Sequence, residues 1–197
     1  MLAWILRFAL ALEVLLYGSL VSRFYGKTWL VLLLWGVVGV LVVRLLFCGL
    51  TFLLTAGGRP SLGAAARLRL WGREYAAFVA NYLFVSPFEC WWMGDDRLDP
   101  ARRSPPVILI HGFSCSRAAW WFLRRKLDAA GLNVATLSLE PLYVDIERYL
   151  PQLSRRIDAV LAQTGATQVV LIGHSMGGLV ARAWLARNGS ERVQRLI

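Results

Sequence analysis

Two long apolar runs at the start of the chain constrain it most. Residues 8–21 carry one charge, Glu13, and residues 29–43 carry none, with the second run continuing past Arg44 to residue 54. Each run reaches the roughly 20 residues that cross a bilayer core. A core helix of a soluble domain keeps a polar face, and these runs have none. The composition agrees: 57% of the 197 residues are hydrophobic, with mean hydropathy +0.53, more apolar than an ordinary soluble domain. Arg23 and Lys27 lie between the runs beside Tyr25 and Trp29, which reads as a hairpin turn with an aromatic anchor at the interface. A cleaved signal peptide, with Arg7 as its charged end, is the rival reading of the first run. Against it, a second apolar run follows at once and no clear small-x-small cleavage site is present. Glu13 and Arg44 are expected to pair, because a lone charge in the membrane is costly; the alternative is that each snorkels or faces a protein partner. Two spans put both ends on one side. That side carries Arg7, Arg59, Arg67, Arg69 and Arg73 against Arg23 and Lys27 in the loop, which favours both ends in the cytoplasm.

Residues 56–106 have a different texture. Gly57, Gly58 and Pro60 punctuate the end of the second run. Residues 62–81 mix Arg and Ala with Leu68, Leu70, Trp71, Tyr75 and Phe78 at roughly helical spacing, and residues 82–93 are rich in aromatics, including Trp91 and Trp92. Two readings stay open: an interfacial amphipathic segment joining membrane to domain, or a helix and loop packed on that domain. Residues 95–106, with Pro100, Pro105 and Pro106, look like a linker. The expected organisation is therefore a two-helix transmembrane hairpin over 1–55, an interfacial segment and linker over 56–106, and a partial α/β domain over 107–197.

That third part changes pattern. A short β-branched run over 107–110 ends at His111-Gly112; a helix pattern over 118–130 is closed by Gly131; 134–139 is another strand. Ile146, Leu150, Leu153, Ile157, Val160 and Leu161 recur at spacings of three and four, a helix whose regular part Pro151 starts or kinks. Residues 168–172 are a third strand, 177–187 a third helix stopped by Asn188-Gly189, and 193–197 begin a fourth strand. Strands alternating with helices predict right-handed crossovers and a parallel sheet covered on both faces.

The formal net charge of +10 raises nucleic acid, an anionic surface or membrane topology as explanations. No long Lys/Arg run and no nucleic-acid motif is present, which argues against a nucleic-acid partner. Cys48, Cys90 and Cys115 are few and irregularly spaced, so they suggest buried thiols rather than a disulfide framework or zinc site, and fit a reducing compartment. No metal or cofactor motif is seen.

Between the third strand and third helix stands Gly173-His174-Ser175-Met176-Gly177, a G-x-S-x-G. The five-residue pattern alone is weak. Placed between an apolar strand and a helix, it describes a turn too tight for side chains at the glycine positions, with the serine hydroxyl exposed at a helix N-terminus. The longer string GHSMGGLVAR, together with ILIHGF at 108–113, resembles an α/β-hydrolase of the lipase/esterase type, in particular bacterial lipases and related membrane-associated acyl hydrolases. The resemblance covers a little under half of the chain. It implies the N-terminal half of an α/β-hydrolase parallel sheet, preceded here by two transmembrane helices. It also implies Ser175 as nucleophile, an oxyanion hole from the backbone N–H groups of Phe113 and Met176, and Gly173, His174, Gly177, His111 and Gly112 as supports of the turn and loop. His111 is expected to brace its loop by hydrogen bonds, and His174 to pack or hydrogen-bond under the turn.

In that family the acid and then the histidine follow the serine. Downstream of Ser175 this sequence offers Glu191 and no histidine; its histidines are His111 and His174. Asp128, Glu140, Asp145, Glu147 and Asp158 precede the turn and read as solvated charges, with Glu140 at a strand end also a candidate for the pocket mouth. The expectation is a membrane-anchored serine hydrolase of lipid-like acyl esters, in a bacterial inner membrane with the hydrolase part facing the cytoplasm. Its acid and base would lie in chain beyond residue 197, and the partial sheet would leave an exposed apolar edge strand. The alternative is a non-catalytic fragment or pseudoenzyme serving as a membrane-bound interaction module.

Overall fold

The computed structural model describes residues 1–25, 28–55 and 63–197. They form two compact units, Trp4–Pro87 and, with Met1–Ala3, Phe88–Ile197. Lys27, Gly57, Gly58, Arg59 and Pro60, which entered the turn and charge readings, lie outside the described residues.

The first unit is built on α1 (Leu2–Tyr25) and α2 (Trp29–Leu54), both long and apolar enough to cross a membrane. Small residues let their backbones approach. A Cβ on Gly18 would lie 2.1 Å from the Leu32 carbonyl oxygen, and one on Gly36 2.3 Å from that of Val14. This is how helices pack where burial in water supplies no driving force. Arg44 and Glu13 pair as expected: Nη1 donates to Oε1 at 2.9 Å and Nη2 lies 2.7 Å from Oε2. Next come α3 (Ala64–Val79) and a π-helical turn, Ala80–Val85. The Tyr75 hydroxyl donates to the Leu41 carbonyl at 3.0 Å, and the Phe78 ring lies 6.1 Å from that of Phe47. The amphipathic face of α3 thus rests on α2, a surface that neither sequence reading had named. Periodicity reveals that a face exists, not what it meets.

The second unit opens with α4 (Glu89–Trp92). Four parallel strands follow, β1 (Val107–Ile110), β2 (Val134–Leu137), β3 (Val169–Gly173) and β4 (Val193–Leu196), in the order β2-β1-β3-β4. The helices α5 (Trp121–Ala129), α6 (Leu150–Thr164) and α7 (Met176–Asn188) cover the sheet. Successive side chains point to opposite faces. Ile108, Ile110, Val169 and Leu171 pack with Leu153, Ile157, Val180 and Trp184 of α6 and α7. Val107, Leu109 and Val134 pack with Leu127 of α5, with Val170 and Ile172 alongside. Burial on both faces is why these strands read as unbroken apolar runs. Pro151 stands in the first turn of α6, where its missing N–H costs nothing, and Gly165 closes the helix at φ 67.

Two expectations change here. Residues 95–106 are not a loose linker. Asn133 and Asp99 exchange side-chain-to-backbone hydrogen bonds of 2.7 and 2.9 Å, and Arg102 donates to the Leu132 carbonyl at 2.5 Å. The Asp96 carboxylate, 5% exposed, accepts from the Thr136 N–H at 2.8 Å and its hydroxyl at 3.0 Å, and pairs with Arg124 (3.2 Å) and Arg156. Arg156 in turn donates to the Thr136 carbonyl. Side chains thus occupy the N–H and C=O of Thr136, backbone groups of edge strand β2 that a neighbouring strand would take. At the other edge, β4 exposes Gln194 and Arg195 while Val193 is buried, so its exposed positions are polar rather than apolar. The thiols are not uniformly buried either, since Cys90 is exposed.

Candidate active site

Because β1 and β3 are neighbours, the loops leaving their C-terminal ends leave side by side. The His174 N–H donates to the Ile110 carbonyl at 3.0 Å, one residue beyond β3. The chain then turns sharply. Ser175 has φ 53 and ψ −118, a conformation that costs a residue with a side chain about 1–3 kcal/mol. Gly177 N–H donates to His174 O and Gly178 N–H to Ser175 O, each at 2.9 Å, so α7 begins at once. Glycine is required on both sides. A Cβ on Gly173 would lie 2.6 Å from the Gly178 nitrogen, and one on Gly177 2.2 Å from the Ile110 carbonyl oxygen. The outcome is an exposed serine at the N-terminus of a 13-residue helix, where amide groups and helix dipole favour negative charge.

The loop after β1 lies against this serine. A Cβ on Gly112 would come within 2.9 Å of His174 Nδ1 and 3.2 Å of Ser175 Cβ. His111, 1% exposed, ties that loop down. Its Nε2 accepts the Leu139 N–H at 2.9 Å, so the ring proton sits on Nδ1, 2.8 Å from the Gly112 carbonyl. Burial pushes this imidazole below the ordinary histidine value of 6.5, against the opposing pull of the Gly112 carbonyl. Both ring nitrogens are engaged, which leaves neither to accept a proton from Ser175. His174 lies beside the turn rather than under it: it is exposed, with its ring edge-on to Trp120 at 6.5 Å.

Phe113 is exposed next to Gly112, its ring 5.1 Å from that of Tyr143, and the Tyr143 hydroxyl lies 3.1 Å from Ser114 Oγ. Among the described residues, the non-glycine positions with positive φ are Ser114, Tyr143 and Ser175, so conformational strain gathers at this end of the sheet. Ser114 and Tyr143 escaped the sequence reading because neither residue type announces a left-handed backbone. Glu140 is exposed, its backbone clamped by Gln152, whose Oε1 accepts the Glu140 N–H at 3.1 Å and whose amide donates to its carbonyl. Other acids read as solvated are ion-paired: Glu147 with Arg187 at 2.7 Å and Asp158 with Arg192. Asp128 lies 3.6 Å from Arg124, and burial raises its carboxyl above the ordinary value.

Comparison with known proteins places this geometry. The sequence model of a family described as "alpha/beta hydrolase fold" matches residues 105–197. An sn-1-specific diacylglycerol lipase ABHD11 from Xenopus laevis is 34% identical over 107 residues, 52% of this chain and 34% of that protein. A triacylglycerol lipase from Pseudarthrobacter phenanthrenivorans is 38% identical over 85 residues, 39% of this chain and 27% of that protein. The Bacillus licheniformis lipase BlEst2 superposes with a TM-score of 0.44 at 24% identity, over 53% of this chain and 43% of that one. The chain thus spans about a third of the length of the curated relatives it matches. Residues 105–197, with their parallel sheet and its crossover helices, match the α/β-hydrolase fold family and are similar in sequence to lipases.

Proposed function

We propose that this chain is a membrane-anchored serine hydrolase acting on lipid-like acyl esters, with Ser175 as nucleophile. The observation that carries the reading is the turn at φ 53 that exposes Ser175 at the start of α7, with Gly112 packed on its Cβ. In the proposed reaction Ser175 Oγ attacks the ester carbonyl carbon while a base takes its proton. The carbonyl oxygen becomes an oxyanion held by the N–H groups of Met176 and Phe113, and collapse expels the alcohol and leaves an acyl-serine that water hydrolyses. Losing one oxyanion donor in such a site costs about 10²–10³ in rate. Gly173, Gly177 and Gly112 permit the close approaches, and His111 holds the donor loop. With the His111 nitrogens engaged and His174 adjacent to the serine, the base and its orienting acid come from polypeptide other than residues 1–197. Helices α1 and α2 form the anchor in a bacterial inner membrane. The cation excess of Arg67, Arg69 and Arg73 over Arg23 supports a hydrolase unit on the cytoplasmic side. No nucleic acid, metal or cofactor enters the reaction.

The test is labelling by a fluorophosphonate in the membranes of cells expressing the open reading frame, with Ser175→Ala as control. Labelling that Ser175→Ala abolishes is the expected result. A folded protein that takes no label sinks the enzyme reading and favours a second one, a non-catalytic membrane-bound module, which the fully occupied His111 ring already recommends.

A further inference from the structure

Away from the serine, the Phe88–Ile197 unit shows water a face that ordinary surfaces avoid. Trp91 is 76% exposed, Trp92 44% and Phe122 64%. Trp92 meets Trp121 edge-on at 5.4 Å, and Phe88 stacks on Trp91 at 4.9 Å. Trp91, Trp92 and Trp121 border an open groove of about 700 Å³ between α4 and α5, which also takes in Arg97 and Arg125, and Phe122 stands beside Trp121 on α5. Cations are threaded among them. The Arg125 guanidinium lies 5.3 Å over the Trp121 ring and the Lys126 ammonium 4.5 Å over the Phe122 ring. Among the described residues, none of Arg97, Arg125 and Lys126 belongs to an ion pair. The acids that line the groove are Asp95, which is exposed, and Asp128, which Arg124 already faces at 3.6 Å and on which Arg97 also acts, and Glu89 stands on α4 beside it.

We infer that this aromatic and basic face docks on an anionic phospholipid surface. Indole rings carry an apolar body and an N–H donor, which suits the headgroup boundary, where one end is dry and the other wet. Arg and Lys lay their stems on the same apolar zone while their charged ends reach lipid phosphates. Single-stranded nucleic acid also stacks on aromatic rings, but it demands a continuous cationic track for its backbone. Here, among the described residues, three cations outside any ion pair are interspersed with rings. The face begins one residue from Trp120, whose ring touches His174, so a docked unit would hold the serine turn close to the lipid surface. The inference goes beyond the proposed reaction and does not require Ser175 to be reactive.

The experiment uses the full chain carrying Cys48→Ala, Cys90→Ser and Cys115→Ser, with an NBD dye on Phe122→Cys. It is mixed with phosphatidylcholine vesicles, with or without phosphatidylglycerol. The expected result is a blue shift with phosphatidylglycerol and quenching by lipid-borne nitroxide, both lost at high salt. The docked-to-undocked ratio falls about fivefold for each cation removed, and the triple change Arg97→Glu, Arg125→Glu, Lys126→Glu abolishes the response. Should that triple variant misfold, Lys126→Gln and the salt series on the labelled parent supply the same readout. Overturning results are a dye that stays in water on both vesicles, a response indifferent to phosphatidylglycerol and salt, or a response to single-stranded RNA in place of vesicles. The dye reports the face whether or not α1 and α2 insert, and sedimentation at alkaline pH judges insertion separately.

Discussion

The two units each bury a carboxylate beside arginine, and they do it differently. Between α1 and α2, Glu13 and Arg44 pair only with each other among the described residues, and both keep some exposure, 27% and 20%. In the α/β unit, Asp96 is 5% exposed and takes two arginines together with the N–H and hydroxyl of Thr136. If α1 and α2 lie in a membrane, as proposed, two solvents account for the contrast. In a packed, water-excluded interior a carboxylate is tolerated only when its lone pairs are filled. In an apolar hairpin a single pair cancels charge, and backbone contact at Gly18 and Gly36 does the rest of the packing. The first arrangement is a network that closes a sheet edge; the second is a peg that sets one helix level with the other.

The largest test of this contrast is Asp96→Ala. It leaves the buried Arg124 with only the more distant Asp128 as counter-charge and the Thr136 N–H unfilled, and should cost about 3–5 kcal/mol in a guanidinium titration. A loss below about 1 kcal/mol, the worth of a surface pair, would mean the edge is held by other contacts. Next, Glu13→Ala strands Arg44 and should weaken insertion by about 2.5–3.5 kcal/mol, read as alkaline extraction from membranes. Replacing both Glu13 and Arg44 by Leu should restore insertion, whereas no apolar replacement of Asp96 satisfies the Thr136 N–H. Equal behaviour of that double replacement and of Asp96→Leu would erase the distinction.

Smaller probes ask how far the dry interior extends toward the serine. The native unit holds His111 neutral, so below pH 6.5 the unfolded chain binds the extra proton. Stability from this group is whole above that value and drains as pH falls from it toward the depressed native value, at most about 1.4 kcal/mol per pH unit. Thermal melts from pH 7 to pH 5 should show this slope, and His111→Gln should flatten it. The smallest expected effect is that of Tyr143→Phe, which removes the bond to Ser114 but keeps the ring on Phe113. It should cost about 0.5–1.5 kcal/mol in the same melts.

Much of the α/β unit was legible because parallel strands buried on both faces spell themselves as apolar runs. Val107–Ile110 stands where the sequence put it, and Pro151 and Gly189 mark helix ends by fixed backbone chemistry. The segments around Gly112 and Ser175 were read as one site, and they touch. What stayed hidden was long-range or conformational. Asp96 sits in a polar, proline-flanked stretch, and nothing local reveals that its targets lie at Arg124, Thr136 and Arg156. The left-handed backbone of Tyr143 has no signature in residue type, since such φ values favour Gly and Asn. Likewise the stripe on α3 gave no hint that its ground is α2.

The closed edge has one more consequence. In the vocabulary of polymer growth, the sheet has a terminated end and a living end. At β2 the Thr136 N–H and C=O are already occupied by Asp96 and Arg156, so a strand arriving there must first displace a buried ion pair. At β4 the exposed residues are Gln194 and Arg195, and no such plug is present among the described residues. A strand joining this sheet therefore meets a barrier at Thr136 that β4 does not present, and the polarity of assembly is set by Asp96 and Arg156 together.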